Sequence, residues 1–209
     1  IRKKVPLVDH IEQIKFTNSL WLVVSAAFIL LMLVGFLARE AGLTREKNSA
    51  NVAAKSFGSI GMAILVFWLV GFGLMFGTSG RELGLYGASA FGLDFATQAG
   101  SGGEANLARS GAFFLFQALL CAAATMIVVG AVAERLRFES AAVVSMLFAG
   151  LVYPVVGHWV WAGRAEGETW GWLSSQGFVD FAGATVFHGV AGGFALALLI
   201  LCLLYTSPS

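Results

Sequence analysis

The chain has 209 residues, of which 58% are hydrophobic and only 12% are charged, and its mean hydropathy is +0.81. Soluble domains carry about a quarter charged residues, so this composition excludes a soluble protein and indicates an integral membrane protein. The net charge of +1, without a dense Lys/Arg cluster, argues against a nucleic-acid partner. Cys121 and Cys202 both lie in apolar segments, and they predict neither a disulfide framework nor a metal site.

Residues 1–17 precede the first apolar segment and include the charged side chains Asp9, Glu12 and Lys15. They predict a polar N-terminal lead-in. A signal peptide would place an apolar run within these residues, and none is there. Because no methionine precedes Ile1, we expect the true start of the protein to be missing.

Charge-free windows then mark the membrane spans. They cover residues 18–38, 56–80, 110–133 and 140–163, with a last one from residue 181 onward. A spanning helix needs about 20 apolar residues, and each window supplies them. Strands of a membrane β-barrel would be half as long and would alternate in polarity. The sequence therefore predicts an all-α membrane protein with five transmembrane helices.

Positive residues are slightly more frequent in the loops after the first and third spans than on the opposite side. This comparison leaves out Arg2, Lys3 and Lys4, which lie near the limit of the distance over which the positive-inside rule applies. The rule then predicts a cytoplasmic first loop, an external N-terminus and a multi-pass protein of the cell membrane.

Two ionisable residues, Asp180 and His188, mark the last span. His188 follows Asp180 by eight residues, which corresponds to about 12 Å along a helix and places the imidazole inside the hydrocarbon layer. Ionisable groups at that depth usually serve function. Two structural alternatives remain: Asp180 as a cap on the first free backbone N–H groups of a helix, and His188 as a hydrogen-bonded imidazole of the bundle.

Residues 202–209 read Cys-Leu-Leu-Tyr-Thr-Ser-Pro-Ser. They are similar to the translated end of a sequencing adapter, and we therefore exclude them from fold reasoning. We expect the native sequence to stop near Leu201. The alternative is a natural helix end followed by a Ser-Pro turn.

Several short motifs occur in order, each near one end of a predicted span. They are Asn18-Ser-Leu-Trp21, Glu40-Ala-Gly-Leu43, Phe116-Gln117, Gly130-Ala-Val-Ala-Glu-Arg135, Tyr153-Pro154, His158-Trp-Val-Trp161 and Asp180-Phe-Ala-Gly-Ala-Thr-Val-Phe-His188. Together they resemble the ammonium transporter (Amt/Rh/MEP) family, from the first span to about Leu201.

The resemblance implies a fold of eleven helices, in which the first ten form two five-helix repeats of inverted topology. Such repeats place a substrate site near the membrane midplane. Residues 18–201 would be the first repeat of that domain. The resemblance also implies transport of ammonium or ammonia, a homotrimer with one pore per subunit, and no enzymatic activity, cofactor or metal.

It further implies roles for individual residues. Trp161 matches the external tryptophan whose ring binds the cation, and Asp180 matches the nearby carboxylate. Phe116 matches the outer phenylalanine of the external gate. His188 matches the first of two pore histidines, whose neutral imidazoles line the pore. Leu120 stands where the family has the inner gate phenylalanine, so either the gate is looser or another ring substitutes.

The second pore histidine is expected from the second repeat, because His10 and His158 are expected near the surface. Within the same fold, the alternatives are an Rh-type gas channel and an ammonium sensor with signalling domains. A remote alternative is an intramembrane enzyme that uses Asp180 and His188, with Thr185 as its nucleophile.

Overall fold

The computed structural model describes residues 7–78, 84–89, 91–92, 103–162 and 171–202. Five helices within these ranges are long and apolar enough to cross a membrane, which confirms the predicted fold class. In chain order the helices are α1 (Leu7–Leu43), α2 (Glu46–Phe76), α3 (Gly103–Ala131), α4 (Phe138–Trp161), the short α5 (Trp172–Ser175) and α6 (Ala184–Leu201).

Four of the helices begin before the charge-free windows that predicted them. α1 begins at Leu7, inside the predicted lead-in, α2 begins at Glu46, α3 begins at Gly103 and α4 begins at Phe138. Charged side chains are compatible with a helical backbone where the helix leaves the hydrocarbon layer. A window defined by the absence of charge therefore finds the membrane-embedded part of each helix and misses its ends.

α3 lies at the centre of the bundle, where it packs against α1, α2, α4 and α6. Its middle is rich in alanine, and Ala122, Ala123 and Ala124 are completely buried. Small side chains let neighbouring helices approach closely in a membrane, where close packing replaces the hydrophobic effect as the source of stability. The other helices are thus arranged around α3.

α2 and α4 cross where each contains a π turn, at Phe67–Gly71 and Phe148–Val152. A Cβ atom on Gly71 would lie 2.7 Å from the backbone oxygen of Ala149. A real Cβ atom does not come so close to a carbonyl oxygen. The crossing therefore depends on the missing side chain of Gly71.

We expect Gly71→Ala to destabilise the bundle by about 1–3 kcal/mol, because the added methyl group must push α2 and α4 apart. Gly61→Ala is the matched control on the same helix, since a Cβ atom there meets no atom within 4 Å. Thermal unfolding of the purified protein in detergent measures both variants. Equal unfolding temperatures for the two variants would contradict the proposed backbone contact.

Hydrogen bonds to one glutamate join the start of α2 to the loop after α3. Glu134 Oε1 accepts from the Asn48 amide at 2.9 Å and from the backbone N and Nε of Arg45, each at 3.3 Å. The hydrogen bond from Asn48, followed by those from Arg45, holds the pKa of the Glu134 carboxyl below its usual value.

Two further side chains make contacts on the side of the bundle where Glu134 lies, which we call the Glu134 end. Buried Lys55 donates from Nζ to the backbone oxygens of Ala133 and Leu136, the latter at 3.0 Å. Arg135 donates at 3.2 Å to the backbone oxygen of Cys202, the C-cap residue of α6, so the structure gives this residue a place in the fold although the sequence analysis sets residues 202–209 aside. The C-terminal ends of α1, α3 and α6 therefore meet at the Glu134 end.

Candidate functional site

Asp180 lies just before α6 and holds the first turn of that helix. Its Oδ1 accepts a hydrogen bond of 2.7 Å from the backbone N–H of Thr185. The sequence predicts such a cap, but with Asp180 at the helix boundary. The structure instead places Asp180 before the N-cap residue, Gly183, so the side chain reaches over an intervening turn.

That intervening turn has a left-handed backbone. Ala182 and Gly183 have φ angles of 52° and 75°, and the Ala184 N–H donates to the oxygen of Phe181 at 3.0 Å. Two successive positive φ angles with this hydrogen bond are typical of a type I′ turn. Alanine in this region costs about 1–2 kcal/mol, which glycine would not. The strained turn brings the Asp180 carboxylate back over the start of α6.

His188 lies in the first turns of α6, which form a π turn over Ala184–Gly189. Its backbone N–H donates to the oxygen of Gly183 at 3.1 Å. Its ring meets the ring of Phe187 edge to face, with 4.6 Å between the centroids. Phe187 is buried, whereas His188 is exposed on the surface of the described part of the chain. π turns occur often at functional sites, where they redirect a side chain.

Trp161 is the last residue of α4 and is half-buried against the core. Trp159, on the same turn of the helix, contacts two separate parts of the chain: its indole N–H donates to the oxygen of Leu85 at 2.8 Å, and its ring meets Trp172 edge to face. The last turn of α4 therefore carries two tryptophans with different surroundings: Trp159 contacts Leu85 and Trp172, whereas Trp161 is partly accessible.

Phe116 and Leu120 lie one turn apart on α3, on one face of the helix, and both are half-buried against the core. Phe113 and Phe114, on neighbouring positions of the same helix, meet the ring of Phe72 edge to face, with ring centroids 6.2 and 5.5 Å apart respectively. Nothing in the sequence distinguishes these two phenylalanines from the other apolar residues of the span.

The structure brings together the helices that carry the five predicted site residues. α3 and the second half of α4 both pack against the π turn of α6. Among the described residues, no hydrogen bond or ring contact joins any two of Phe116, Leu120, Trp161, Asp180 and His188.

His158 is completely buried, so the prediction that it lies near the surface is wrong. Its Nδ1 lies 2.9 Å from the backbone oxygen of Met75. The side chain of Met75 also fills the space beside Gly157, where a Cβ atom would collide with it. The last turn of α4 is thus covered by the end of α2, which position in the chain alone does not reveal. His10 lies outside the residues whose side chains are described.

Comparison with known proteins identifies the family to which this arrangement corresponds. The sequence model of the Ammonium Transporter Family matches residues 20–203. The chain belongs to this family. A putative ammonium transporter of Synechocystis sp. is 43% identical over 88% of this chain and 32% of its own length. Ammonium transporter Amt2 of Archaeoglobus fulgidus is 33% identical over 88% of this chain and 38% of its own length.

Solved structures of the family share the fold. A structure titled Sensor Amt Protein superposes with a TM-score of 0.82 and 36% identity, covering 91% of this chain and 45% of its own. Mep2 of Saccharomyces cerevisiae superposes with a TM-score of 0.73 and 25% identity, covering 89% of this chain and 39% of its own. The chain thus spans less than half the length of these ammonium transporter relatives, and its five spans have a partial Amt fold.

Proteins of the ammonium transporter family are transporters and not enzymes. The chain is accordingly a multi-pass membrane protein of a transport family. The alternative of an intramembrane enzyme built on Asp180 and His188 is thereby excluded.

We expect Asp180→Ala to destabilise the protein by about 0.5–2 kcal/mol, because the Thr185 N–H loses its acceptor. Asp180→Asn keeps an acceptor oxygen at the same position, so it should unfold close to the wild-type temperature. Thermal unfolding in detergent distinguishes the two variants. If Asp180→Ala were as stable as Asp180→Asn, the capping role of the side chain would be wrong.

Proposed function

We propose that this chain is the first five-helix repeat of an ammonium transporter, and that ammonia or ammonium passes through an apolar pore beside His188. The observation that carries the proposal is the position of this imidazole. His188 is exposed on an otherwise apolar helix, eight residues beyond Asp180, in a chain of the ammonium transporter family. An ionisable side chain in a membrane span is retained where it serves a pathway.

A neutral imidazole suits this position because it offers one donor and one acceptor nitrogen without a net charge. A second imidazole stacked on the first would let the pair relay a proton while ammonia passes. We infer that the partner of His188 comes from a second repeat of inverted topology. The relatives are long enough to contain such a repeat, since this chain spans only 32–43% of the lengths of the first three curated relatives.

The outer end of the pathway would recruit the cation. The ring of Trp161 is half-accessible at the end of α4, and an aromatic face attracts a desolvated cation by about 0.5–2 kcal/mol. The carboxylate of Asp180 biases the same region towards cations. Below them, Phe116 is the outer gate residue and Leu120 occupies the inner gate position. The transported solute in this proposal is ammonium, as in the names of the curated relatives.

The remaining features of the proposal concern the complete protein. Residues 18–201 belong to the ammonium transporter domain, residues 1–17 are the lead-in, and residues 202–209 are adapter read-through. The N-terminus lies outside the cell, which places the Glu134 end in the cytoplasm and agrees with the positive residues Arg45 and Arg135 found there. The complete transporter is a homotrimer.

An ammonium sensor is the second candidate function. It is favoured by the similarity to the structure titled Sensor Amt Protein, whose identity to this chain is 36%. An Rh-type gas channel would have the same fold. A sensor requires signalling domains beyond the last helix of the second repeat, so the complete open reading frame distinguishes a sensor from a transporter.

The test of the proposed pore is His188→Ala in the full-length transporter. We expect uptake of labelled methylammonium, in cells without other ammonium transporters, to fall at least tenfold while the amount of folded protein stays unchanged. The matched control is Leu196→Ala, an exposed position farther along the same helix. Undiminished uptake by His188→Ala would exclude His188 from the pore.

Leu120→Phe tests the gate. Leucine fills space but offers no aromatic face to a cation. Restoring the ring should therefore slow uptake or lower the apparent KM for methylammonium by a few fold. A change of this size corresponds to the free energy of one cation–π contact. Leu115→Phe adds the same ring at an exposed position of α3 and is the control. Uptake kinetics identical to wild type would mean that another ring already fills the gate.

A further inference from the structure

Two buried polar atoms near the start of α6 have no hydrogen-bond partner among the described residues. They are the hydroxyl oxygen of Tyr153 and Oδ2 of Asp180. Tyr153 has no exposed surface at all. The other carboxylate oxygen of Asp180 is already bound by the Thr185 N–H, so Oδ2 is the free acceptor of this side chain.

The two side chains lie on either side of a contact between elements of the bundle. The second half of α4, which begins at Tyr153, packs against the π turn that follows Asp180. The carboxylate of Asp180 and the thiol of Cys121 both lie within electrostatic range of the Tyr153 hydroxyl.

The Tyr153 hydroxyl cannot reach bulk solvent to find a partner. The Tyr153 ring meets Phe67 edge to face with centroids 6.4 Å apart and lies 5.9 Å from the ring of Phe148. These contacts hold the ring between α2 and the π turn of α4.

We propose that one buried water molecule joins the Tyr153 hydroxyl to Asp180 Oδ2, so that Tyr153 positions the carboxylate of the external site. A hydroxyl can donate to a water, and a carboxylate can only accept from it, so a single bridging water satisfies both atoms. Buried waters commonly serve polar groups that would otherwise lack partners, and leaving such groups unpaired is costly.

The functional part of this proposal rests on the proposed role of Asp180 in recruiting the cation. The Thr185 N–H holds one carboxylate oxygen, and the water with Tyr153 holds the other. Both oxygens are then fixed, and the negative charge keeps one orientation towards the entering cation. Without the hydroxyl, the carboxylate has one support and can rotate away from the external site.

The first experiment locates the water. It compares structures of the full-length wild-type transporter and of Tyr153→Phe, both determined in ammonium-free buffer at a resolution that shows ordered waters. We expect density within hydrogen-bond distance of both the Tyr153 hydroxyl and Asp180 Oδ2 in the wild type, and its loss in the variant. A wild-type structure without that density, or with a direct bond between the two side chains, would overturn the proposal.

The second experiment measures positioning through methylammonium uptake. Tyr153→Phe should raise the apparent KM about fivefold, the effect of one lost hydrogen bond, and leave the maximal rate unchanged. Ser59→Ala removes another buried hydroxyl, on α2, that has no hydrogen-bond partner among the described residues, and it should leave both parameters unchanged. An unchanged KM in Tyr153→Phe, despite the bound water, would overturn the positioning role.

Failure of the proposed function gives a different result. If Asp180→Asn took up methylammonium as well as the wild type, Asp180 would have no part in recruitment, whereas density for the bridging water would still support the structural link to Tyr153.

Discussion

The hydrogen bond between the Thr185 N–H and Asp180 Oδ1 determines where α6 begins, and the rest of the candidate site depends on that beginning. An unpaired backbone N–H inside the hydrocarbon layer costs several kcal/mol, so a helix that starts at the edge of a bundle needs a fixed acceptor. The strained turn at Ala182 and Gly183 is retained because it delivers this acceptor. The position of His188 in the first turns of α6 follows directly.

The π turns have a related effect on the spans that surround α3. Each of α2, α4 and α6 contains one, and those of α2 and α4 meet at Gly71 and Ala149. A π turn inserts one residue into the helical repeat and rotates the side chains that follow it. The face that α4 turns towards α6 after its π turn is therefore set by the turn itself, and it begins with Tyr153.

The number and type of the spans could be predicted from the sequence. A segment of 20 or more residues without charge, in so hydrophobic a chain, is stable as a membrane-spanning helix because the helix pairs all of its backbone polar groups. The cap formed by Asp180 could also be predicted, as one of two alternatives, because this residue stands where the last apolar segment begins. The burial of His158 could not be predicted, since it results from contact with Met75 on a distant part of the chain. Nor could the Tyr153 hydroxyl, which has no hydrogen-bond partner in the part of the chain that the structure describes, because hydropathy treats a buried tyrosine as apolar and does not register its oxygen.

The meeting of three helix ends at the Glu134 end has an electrical consequence. Each helix carries about half a negative charge at its C-terminus and half a positive charge at its N-terminus. Because the number of spans is odd, α1, α3 and α6 direct their negative ends to one side, and only two helices oppose them. The repeat is thus a net dipole across the membrane, and buried Lys55, bound to the carbonyl groups after α3, neutralises part of its negative pole. A second odd repeat of opposite orientation would cancel the remainder, so that an ion in a pore between the two would meet little net field from the backbone.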